Sequence, residues 1–396
     1  MKIKISFSNL MVSLAIISAF LGSGISLGSI FGYAILPVRF MGLLCIMYIL
    51  INLFNNNKDY RKIQDIIFMV VYIVIVTLSF SENYNKSISL FIDYLVSFSI
   101  FCVIVLKVKD NSLYEKYTNL YIICVIFTIM ICIYEYLTHN HIASNYTEAF
   151  SVNDWAYTYT TKAPTAFLYN PNNVAVLMIV SLPLFLEKMK QSLKIFEKIF
   201  WFIWTFLNIA VIFMTGSRGG LVAAILIFSI FILLSDISLN KKIFLIFMSF
   251  IIIIYFSDFI FDQLGYGGML VNGKISFFAE GDGGRSGIAR NSLKIVFLEN
   301  PIFGLGVHSV ENKGLMSPHN TIIEVLCNYG IFGLCIFAFL LIRLFQMLIS
   351  QNNKTITFLL FLSFCMSMFI PPTIMTLYVI FIPFALRIGK YYIERI

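Results

Sequence analysis

The type and position of Arg218 indicate a role in binding or catalysis. It stands in the stretch TGSRGG, residues 215–220, between two apolar runs that only this short turn separates. An arginine at the centre of a bilayer costs about 2.5–3.5 kcal/mol on insertion scales, and less toward the interface. We therefore expect Arg218 to face a partner, a water-filled cavity or an anionic substrate, and the glycines would let a large ligand approach the backbone. The alternative is an interfacial arginine whose side chain extends to water.

A second candidate, His319, lies directly before a predicted helix start. Thr321 and Glu324 form an S/T-x-x-E pattern, which predicts a capping box at the first turn of the next apolar run. The positive end of a helix disfavours imidazolium, so His319 would stay neutral and could accept a proton as a general base. The alternative is a loop histidine at a turn, and His308 is the rival base. Glu324 is either the capping partner or a group that binds an acceptor.

The elements that position these residues are predicted to be membrane helices. Of 396 residues, 59% are hydrophobic and 12% are charged, against about 45–50% and about 25% in ordinary globular domains. This composition disfavours a soluble enzyme and leaves too little charge for a nucleic-acid-binding face. A span needs about 20 mostly apolar residues, and about twelve segments qualify. They are residues 8–29, 33–54, 64–80, 88–106, 117–137, 173–187, 197–215, 219–235, 243–260, 321–342, 355–371 and 373–389.

Lysines and arginines orient the predicted spans. Most of the 28 Lys and Arg fall in short loops on the same side as the N-terminus, as the positive-inside rule requires of cytoplasmic loops. Both termini are therefore predicted to be cytoplasmic, with the chain in the bacterial plasma membrane. Lys2 and Lys4 also resemble the start of a signal peptide, but no small-residue cleavage site follows, so a retained first helix is predicted. Residues 1–396 are interpreted as a single membrane domain.

Two long loops are predicted on the outer side, over residues 138–172 and 261–320, and together they hold all four histidines. Long loops between packed helices are where function is expected. In the second loop, residues 286–299 place apolar side chains near helical spacing, which predicts a short helix lying on the outer membrane surface. Asn300 and Pro301 end it, since proline cannot continue a helix.

Other polar residues are candidates for binding or for structural roles. Asn170 and Asn172 either bind sugar or close a turn. Arg39 and Asp93 lie near the outer ends of their spans and are predicted to form a structural pair. Glu135 and Tyr136 face the first long loop and could line a sugar groove, although aromatic belts at membrane interfaces also explain tyrosines.

No metal site is predicted. His139 and His141 form an HxH pair that is interpreted as a loop feature, because the carboxylates of the outer loops are scattered along the sequence. The seven cysteines fall in apolar runs without CxxC spacing, which is typical of buried thiols.

The order of four motifs resembles the O-antigen polymerase and O-antigen ligase superfamily. SRGG at 217–220 is followed by a long outer loop, then by NPIFGLG at 300–306 and by PHNTIIEVLCNYGIFG at 318–333. NPNNVAVLMIVSLPL at 170–184 is similar to the family segment that leads out of its preceding outer loop. The signature covers about residues 165–340.

The resemblance implies a fold, a reaction and residue roles. Members are all-α, polytopic glycosyltransferases of the GT-C type, which transfer a glycan from undecaprenyl pyrophosphate to an acceptor outside the membrane with inversion. No metal or other cofactor is expected. Arg218 corresponds to the family's first arginine, and His319 to its histidine before Asn320. A second loop arginine corresponds to Arg285 or Arg290, neither at quite the usual spacing. Forked arginine donors suit the oxygens of a departing diphosphate.

Three functions remain open at this point. A polymerase that joins lipid-linked repeat units into O-antigen or capsular polysaccharide is favoured, because the Ile-, Phe-, Asn- and Lys-rich composition is typical of polysaccharide gene clusters. A ligase that moves the finished glycan to lipid A core or to a protein would use the same residues. A transporter of lipid-linked solutes would place charges within the spans and show repeat symmetry. The expected partners are the lipid-linked glycan, membrane lipid and a chain-length regulator; nucleic acid is not expected.

Overall fold

The computed structural model describes residues 7–22, 24–27, 29–30, 33–34, 36–54, 84–143, 163–235, 238–243, 247, 251, 285–307, 310, 313, 318, 320–351, 353–370 and 377–394. The predicted span over 64–80 lies outside these residues, as do nearly all of the span over 243–260 and most of the first outer loop. His308 and His319 also lie outside the described residues.

Helices dominate the described chain. In chain order they are α1 (Phe7–Leu21), α2 (Pro37–Phe54), α3 (Tyr84–Lys107), α4 (Asn111–Thr138), α5 (Pro171–Gln191), α6 (Ile195–Met214), α7 (Arg218–Leu233), α8 (Arg285–Glu299), α9 (Thr321–Ile349), α10 (Lys354–Ser367) and α11 (Tyr378–Glu394). Every predicted span that falls on described residues lies largely on one of these helices. The apolar runs are therefore helical, as their composition predicts.

Four described helices are each long and apolar enough to cross a membrane: α4, α5, α6 and α9. The prediction of a helical membrane protein is confirmed for the length and composition of these helices, and the count of twelve spans stays a prediction.

The chain separates into two compact units. The first comprises Met1–Tyr121, Phe278–Gln351 and Pro371–Ile396, and the second comprises Ile122–Phe277 and Asn352–Ile370.

A short hairpin interrupts two of the predicted spans. Strand β1 (Ser29–Ile30) pairs antiparallel with β2 (Tyr33–Ala34), between α1 and α2. The predicted spans over 8–29 and 33–54 are therefore wrong at the ends that face each other. α1 ends early because Gly22 takes a left-handed backbone conformation, with φ of 49°, which is common directly after a helix.

In the first unit, α2 and α3 pack closely at a glycine. A Cβ on Gly42 would lie 2.6 Å from a methyl of Val96, so only glycine allows this approach. The hydroxyl of Ser99 donates to the carbonyl of Gly42 at 3.1 Å, and small residues with hydroxyl donors are typical of such interfaces in membranes.

The predicted pair Arg39–Asp93 joins the same two helices. The Nε of Arg39 donates to Oδ1 of Asp93 at 2.8 Å, and its Nη2 donates to Oδ2 at 2.9 Å. The hydroxyl of Tyr378, on α11, donates to Oδ1 at 2.6 Å. The pair is therefore confirmed, and it binds three helices of the first unit together.

In the second unit, α5 is the central helix. Its residues from Val174 to Glu187 are all buried, and α6, α7 and α10 pack on it. One polar contact lies within this packing: the Nδ2 of Asn208 on α6 donates to the hydroxyl of Ser181 at 2.9 Å. The second unit is thus a helical bundle around α5.

Candidate functional site

The motif CNYGIFG contains a break in α9. Gly330 has φ of 68° and ψ of −170°, which is not helical. In an unbroken helix the amides of Ile331 and Phe332 would donate to the carbonyls four residues earlier. Here they donate to the carbonyls of Pro301 at 2.9 Å and of Ile302 at 3.1 Å. The second motif, NPIFGLG, is therefore bonded directly into the third.

The carbonyls that this break releases are also used. Cys327 accepts from the amide of Leu305 at 2.8 Å, and Asn328 accepts from the amide of Gly306 at 3.1 Å. Four loop-to-helix hydrogen bonds thus replace two helical ones. An unpaired backbone group in hydrocarbon costs several kcal/mol, so this exchange lets a membrane helix break without leaving these groups unsatisfied. We call residues 300–306, bonded in this way to 327–332, the loop–helix lock.

Two glycines make the lock possible. A Cβ on Gly330 would overlap the carbonyl of Ile302, and a Cβ on Gly304 would lie 2.5 Å from the amide nitrogen of Gly330. Gly304 also has φ of 79°, a region that residues with a Cβ rarely adopt. The glycines of both motifs therefore act through backbone contact.

The lock continues into the packing of α8 on α9. Val296 on α8, Val310 and Cys327 form a buried cluster, against which Leu305 and Ile323 pack. The predicted helix over 286–299 is confirmed as α8, Arg285–Glu299. It ends as expected at Asn300, whose side-chain oxygen accepts from the amide of Phe303 at 3.3 Å.

Of the two candidate loop arginines, Arg290 lies on the exposed face of α8. Arg285 is the first helical residue, and the placement of its side chain lies outside what is described. An exposed arginine on a helix packed against α9 can meet a phosphate with several donors at once. Which of the two arginines would bind phosphate stays a prediction.

The start of α9 differs from the predicted capping box. The N-cap is Asn320, whose side-chain oxygen accepts from the amides of Ile322 at 3.0 Å and Ile323 at 3.2 Å. Thr321 is the first helical residue rather than the cap, and Glu324 is one position too far along to complete a capping box. Asn320 thus uses its side-chain oxygen to start the helix, and its role in binding substrate stays a prediction.

Glu324 belongs to a buried polar region of the first unit. The phenol of Tyr94 on α3 interacts electrostatically with the Glu324 carboxylate and with the phenol of Tyr329. Tyr94 and Tyr329 are 4% and 5% exposed, while Glu324 is half-buried. Glu324 is therefore not the capping partner, and its role in binding an acceptor stays a prediction.

Arg218 is the first residue of α7 in the second unit. The hydroxyl oxygen of Ser217 caps this helix by accepting from the amide of Gly220 at 3.3 Å. Three residues separate α6 from α7, as the short turn predicts, and Gly216 takes φ of 64°. The start of a helix favours anions because of its dipole and its unpaired backbone amides. An anion at the start of α7 would therefore be near these amides and near the half-buried Arg218.

The ends of the first long loop are held by Glu135, at the end of α4. Its Oε1 accepts from the amide of Ile142 at 2.9 Å, and its Oε2 accepts from the amides of Thr165 and Ala166, both at 2.8 Å. The side chain is fully buried. Glu135 is therefore a structural clamp, and the interpretation of it as a sugar-groove residue is wrong.

The HxH histidines point to different surroundings. The Nδ1 of His141 lies 3.2 Å from the hydroxyl of Thr165 and 3.6 Å from Oε2 of Glu135. His139 is exposed, with φ of 59°. Within the described ranges, no three His, Cys, Asp or Glu side chains group as metal ligands would.

Asn170 and Asn172 begin α5. Asn170 is the N-cap, and its side-chain oxygen accepts from the amide of Asn172 at 2.8 Å. Of the two interpretations, closing the turn is therefore the one observed for Asn170. The side chain of Asn172 is half-buried, and sugar binding by it stays a prediction.

The loop–helix lock is not predicted from the sequence. The glycines of NPIFGLG and CNYGIFG belong to motifs that resemble the family's, but nothing local indicates that the two motifs bond to each other. The one signal was Gly330 in the middle of an apolar helical run, since glycine weakens a helix interior.

Two comparisons with known proteins bear on the family. Residues 203–338, from α6 into α9, match the family model described as O-Antigen ligase. The chain is also 24% identical over 302 residues to the teichuronic acid biosynthesis protein TuaE of Bacillus subtilis (strain 168). That match covers 69% of this chain and 60% of the relative, so it spans less than two thirds of the relative's length. Both matches agree with the motifs: the region from α6 into α9 is similar to the O-antigen ligase family, and the longer match is to a protein named for teichuronic acid biosynthesis.

Proposed function

We propose that the protein is a membrane glycosyltransferase that polymerises oligosaccharide repeat units linked to undecaprenyl pyrophosphate. The product would be an O-antigen or capsular polysaccharide, made on the outer face of the bacterial plasma membrane with both termini cytoplasmic. The loop–helix lock is the observation that carries the proposal, because it joins two motifs within the family match and fixes α8, which bears Arg290, against α9.

In the proposed reaction, a hydroxyl of one repeat unit attacks the anomeric carbon of another glycan. The bond from that carbon to the diphosphate oxygen breaks, and undecaprenyl pyrophosphate leaves with the bonding electron pair. His319 takes the proton of the attacking hydroxyl as general base. Inversion follows from a single displacement at this carbon.

Cationic residues would stabilise the leaving diphosphate. Arg218 at the start of α7 and Arg290 or Arg285 on α8 each supply guanidinium donors whose forked geometry suits phosphate oxygens. Such fixed charges stabilise the negative charge that develops on the leaving group. This chemistry needs no metal ion, and we propose none.

Two variants test the site. Arg218→Ala and His319→Ala, each shown to reach the membrane, should abolish elongation in a strain that lacks its own polymerase. Arg343→Ala is the matched control, because Arg343 is a half-buried arginine of α9 that lies ten residues beyond the end of its motif at Gly333. Full elongation by the Arg218 or His319 variant would show that the site assignment is wrong.

Reconstitution separates polymerase from ligase. Purified protein in liposomes is given a single lipid-linked repeat unit and no other acceptor. A ladder of products supports polymerisation. A protein that stays inert until lipid A core is added is a ligase, the alternative function.

A further inference from the structure

Two cationic side chains of α11 meet on one buried aromatic ring. The guanidinium carbon of Arg387 lies 5.5 Å from the centre of the Tyr114 ring, on α4, and the Nζ of Lys390 lies 4.6 Å from the same centre. Both distances allow cation–π attraction, which acts within about 6 Å. Arg387 is 1% exposed, whereas Lys390 is half-buried. Ionisable residues buried among membrane helices are costly and typically functional, so a role is expected for Arg387.

The residues that follow α3 add two lysines to this place. A Cβ on Gly389 would lie 2.6 Å from the Cβ of Val108, so α11 packs directly against the end of α3. Lys107 and Lys109 flank Val108, and Lys390 follows Gly389. One close contact therefore brings the cations of two helices together. We call these four residues the cationic end of the first unit: Lys107, Lys109, Arg387 and Lys390.

The carboxylates near the cationic end do not balance its charge. Residues 107–116 and 387–394 carry five cationic side chains and three carboxylates, Asp110, Glu115 and Glu394. The Oδ1 of Asp110 accepts from a backbone amide in the first turn of α4 at 2.8 Å, so this carboxylate caps the helix. Glu115 is half-buried and Glu394 is exposed. The net charge is positive, and a cluster of this sign attracts anions.

The cationic end lies away from the pair Arg39–Asp93. Tyr378, the first residue of α11, donates to Asp93 on α3. Lys390 follows Tyr378 by twelve positions, and Lys107 follows Asp93 by fourteen. At about 1.5 Å per residue, these separations are about 18 and 21 Å, or about two thirds of a 30 Å hydrocarbon core. The cationic end therefore lies toward the opposite membrane boundary, which the positive-inside rule predicts to be cytoplasmic.

An apolar surface of α2 lies beside the cationic end. Four side chains of this helix are spaced as i, i+4, i+7 and i+8 and are each at least 47% exposed: Leu43, Met47, Leu50 and Ile51. The Nζ of Lys107 lies 4.4 Å from the centre of the Tyr48 ring on the same helix. A cation thus stands next to an exposed apolar strip. This combination suits a lipid, whose charged head and acyl chain are joined, better than it suits a soluble anion.

We propose that the cationic end binds the phosphate of an anionic phospholipid in the surrounding leaflet. Lys107, Lys109 and Lys390 contact the phosphate, and Arg387 adds a positive charge beneath them at the ring of Tyr114. An acyl chain lies along the exposed side of α2. Basic pockets between membrane helices on the cytoplasmic side are typical sites for anionic headgroups. This site is separate from the donor and from the proposed reaction.

Native mass spectrometry of the full-length protein in detergent tests the site. The protein is titrated with dioleoyl phosphatidylglycerol and, separately, with dioleoyl phosphatidylcholine, whose headgroup has no net charge. The wild type should bind phosphatidylglycerol saturably and more tightly. Lys107→Gln and Lys390→Gln should each weaken this binding about fivefold, because each variant removes one charge-assisted contact. Neither variant should change the binding of phosphatidylcholine.

Lys242→Gln is the matched control, because Lys242 is a half-buried lysine of the second unit on the same predicted side of the membrane. It should leave phosphatidylglycerol binding unchanged. Equal weakening by this control would overturn the assignment, as would unchanged phosphatidylglycerol binding in both variants of the cationic end.

Soluble glycerol phosphate separates a phospholipid from a free phosphate compound. It carries the same phosphate group without acyl chains, so at equal concentration it should displace little of the bound phosphatidylglycerol. Full displacement would assign the cationic end to a soluble phosphate compound and overturn the phospholipid.

Discussion

The backbone of Gly304 lies directly on the backbone of Gly330: a Cβ on Gly304 would come within 2.5 Å of the amide nitrogen of Gly330. The two residues belong to different sequence motifs, and each motif supplies the hydrogen-bonding groups that the other leaves unpaired. Backbone that is not helical is tolerated at membrane depth only where protein or a water-filled cavity satisfies it. The motif glycines are therefore explained by packing before any role in substrate binding is invoked.

Replacing Gly330 with alanine should open the lock. The new Cβ would overlap the carbonyl of Ile302, and the alanine would have to adopt φ of 68°. We therefore expect a loss of about 1–3 kcal/mol in the free energy of unfolding. Thermal unfolding of the purified protein measures this, together with elongation activity. Phe339→Ala, an exposed residue of the same helix, should change neither. An unaltered unfolding temperature for Gly330→Ala would contradict the lock.

A cysteine at position 305 should form a disulfide with native Cys327. The amide of Leu305 bonds to the carbonyl of Cys327 at 2.8 Å, and both side chains belong to one buried cluster. Mild oxidation of Leu305→Cys should therefore give a cross-linked peptide, detected by mass spectrometry. The same experiment with Cys327→Ser added should give none. Absence of the cross-link with the native Cys327 thiol intact would show that the loop lies elsewhere.

The helices could be predicted from the sequence because hydropathy is a local property, and the apolar runs are long. The pair Arg39–Asp93 could be predicted for a related reason, since two opposite charges near the same membrane boundary favour each other. The sequence predicts the N-cap of α9 one residue too late, at Thr321, because this residue fits the pattern S/T-x-x-E. Asparagine and threonine are both good N-caps. Asn320 takes that position instead.

The loop–helix lock could not be predicted, because it depends on hydrogen bonds between residues more than twenty positions apart. The apolar pattern of α9 continues on both sides of Gly330, and this glycine is the one local signal of the break. The buried side of α8 could not be predicted either, because apolar residues at helical spacing do not identify the neighbour that buries them.

Arg39 and Asp93 should be energetically coupled. Both carboxylate oxygens of Asp93 accept from Arg39, and Tyr378 adds a third hydrogen bond. Removing one charge leaves the other partly buried and unpaired, so Arg39→Gln should destabilise the protein by about 3 kcal/mol. Tyr378→Phe should lower the free energy of unfolding by about 1 kcal/mol, because it removes one hydrogen bond. A double-mutant cycle of Arg39→Gln with Asp93→Asn, measured by unfolding, should show a double variant less destabilised than the sum, whereas strict additivity would rule out the coupling.

Glu135→Gln should loosen both ends of the first long loop. The carboxylate accepts three backbone hydrogen bonds, from Ile142, Thr165 and Ala166. A glutamine replaces one acceptor oxygen by an NH₂ group that can only donate, so one or two of these buried amides lose their partner at about 1–3 kcal/mol each. Hydrogen exchange should accelerate at the one or two amides that lose their partner, and exchange along α5 should not change. Glu197→Gln, at an exposed position of α6, is the control. Because the Glu135 side chain holds the loop by its backbone amides, Glu135→Ala should accelerate hydrogen exchange at all three amides. Amides that stay protected in this variant would show that other contacts hold the loop.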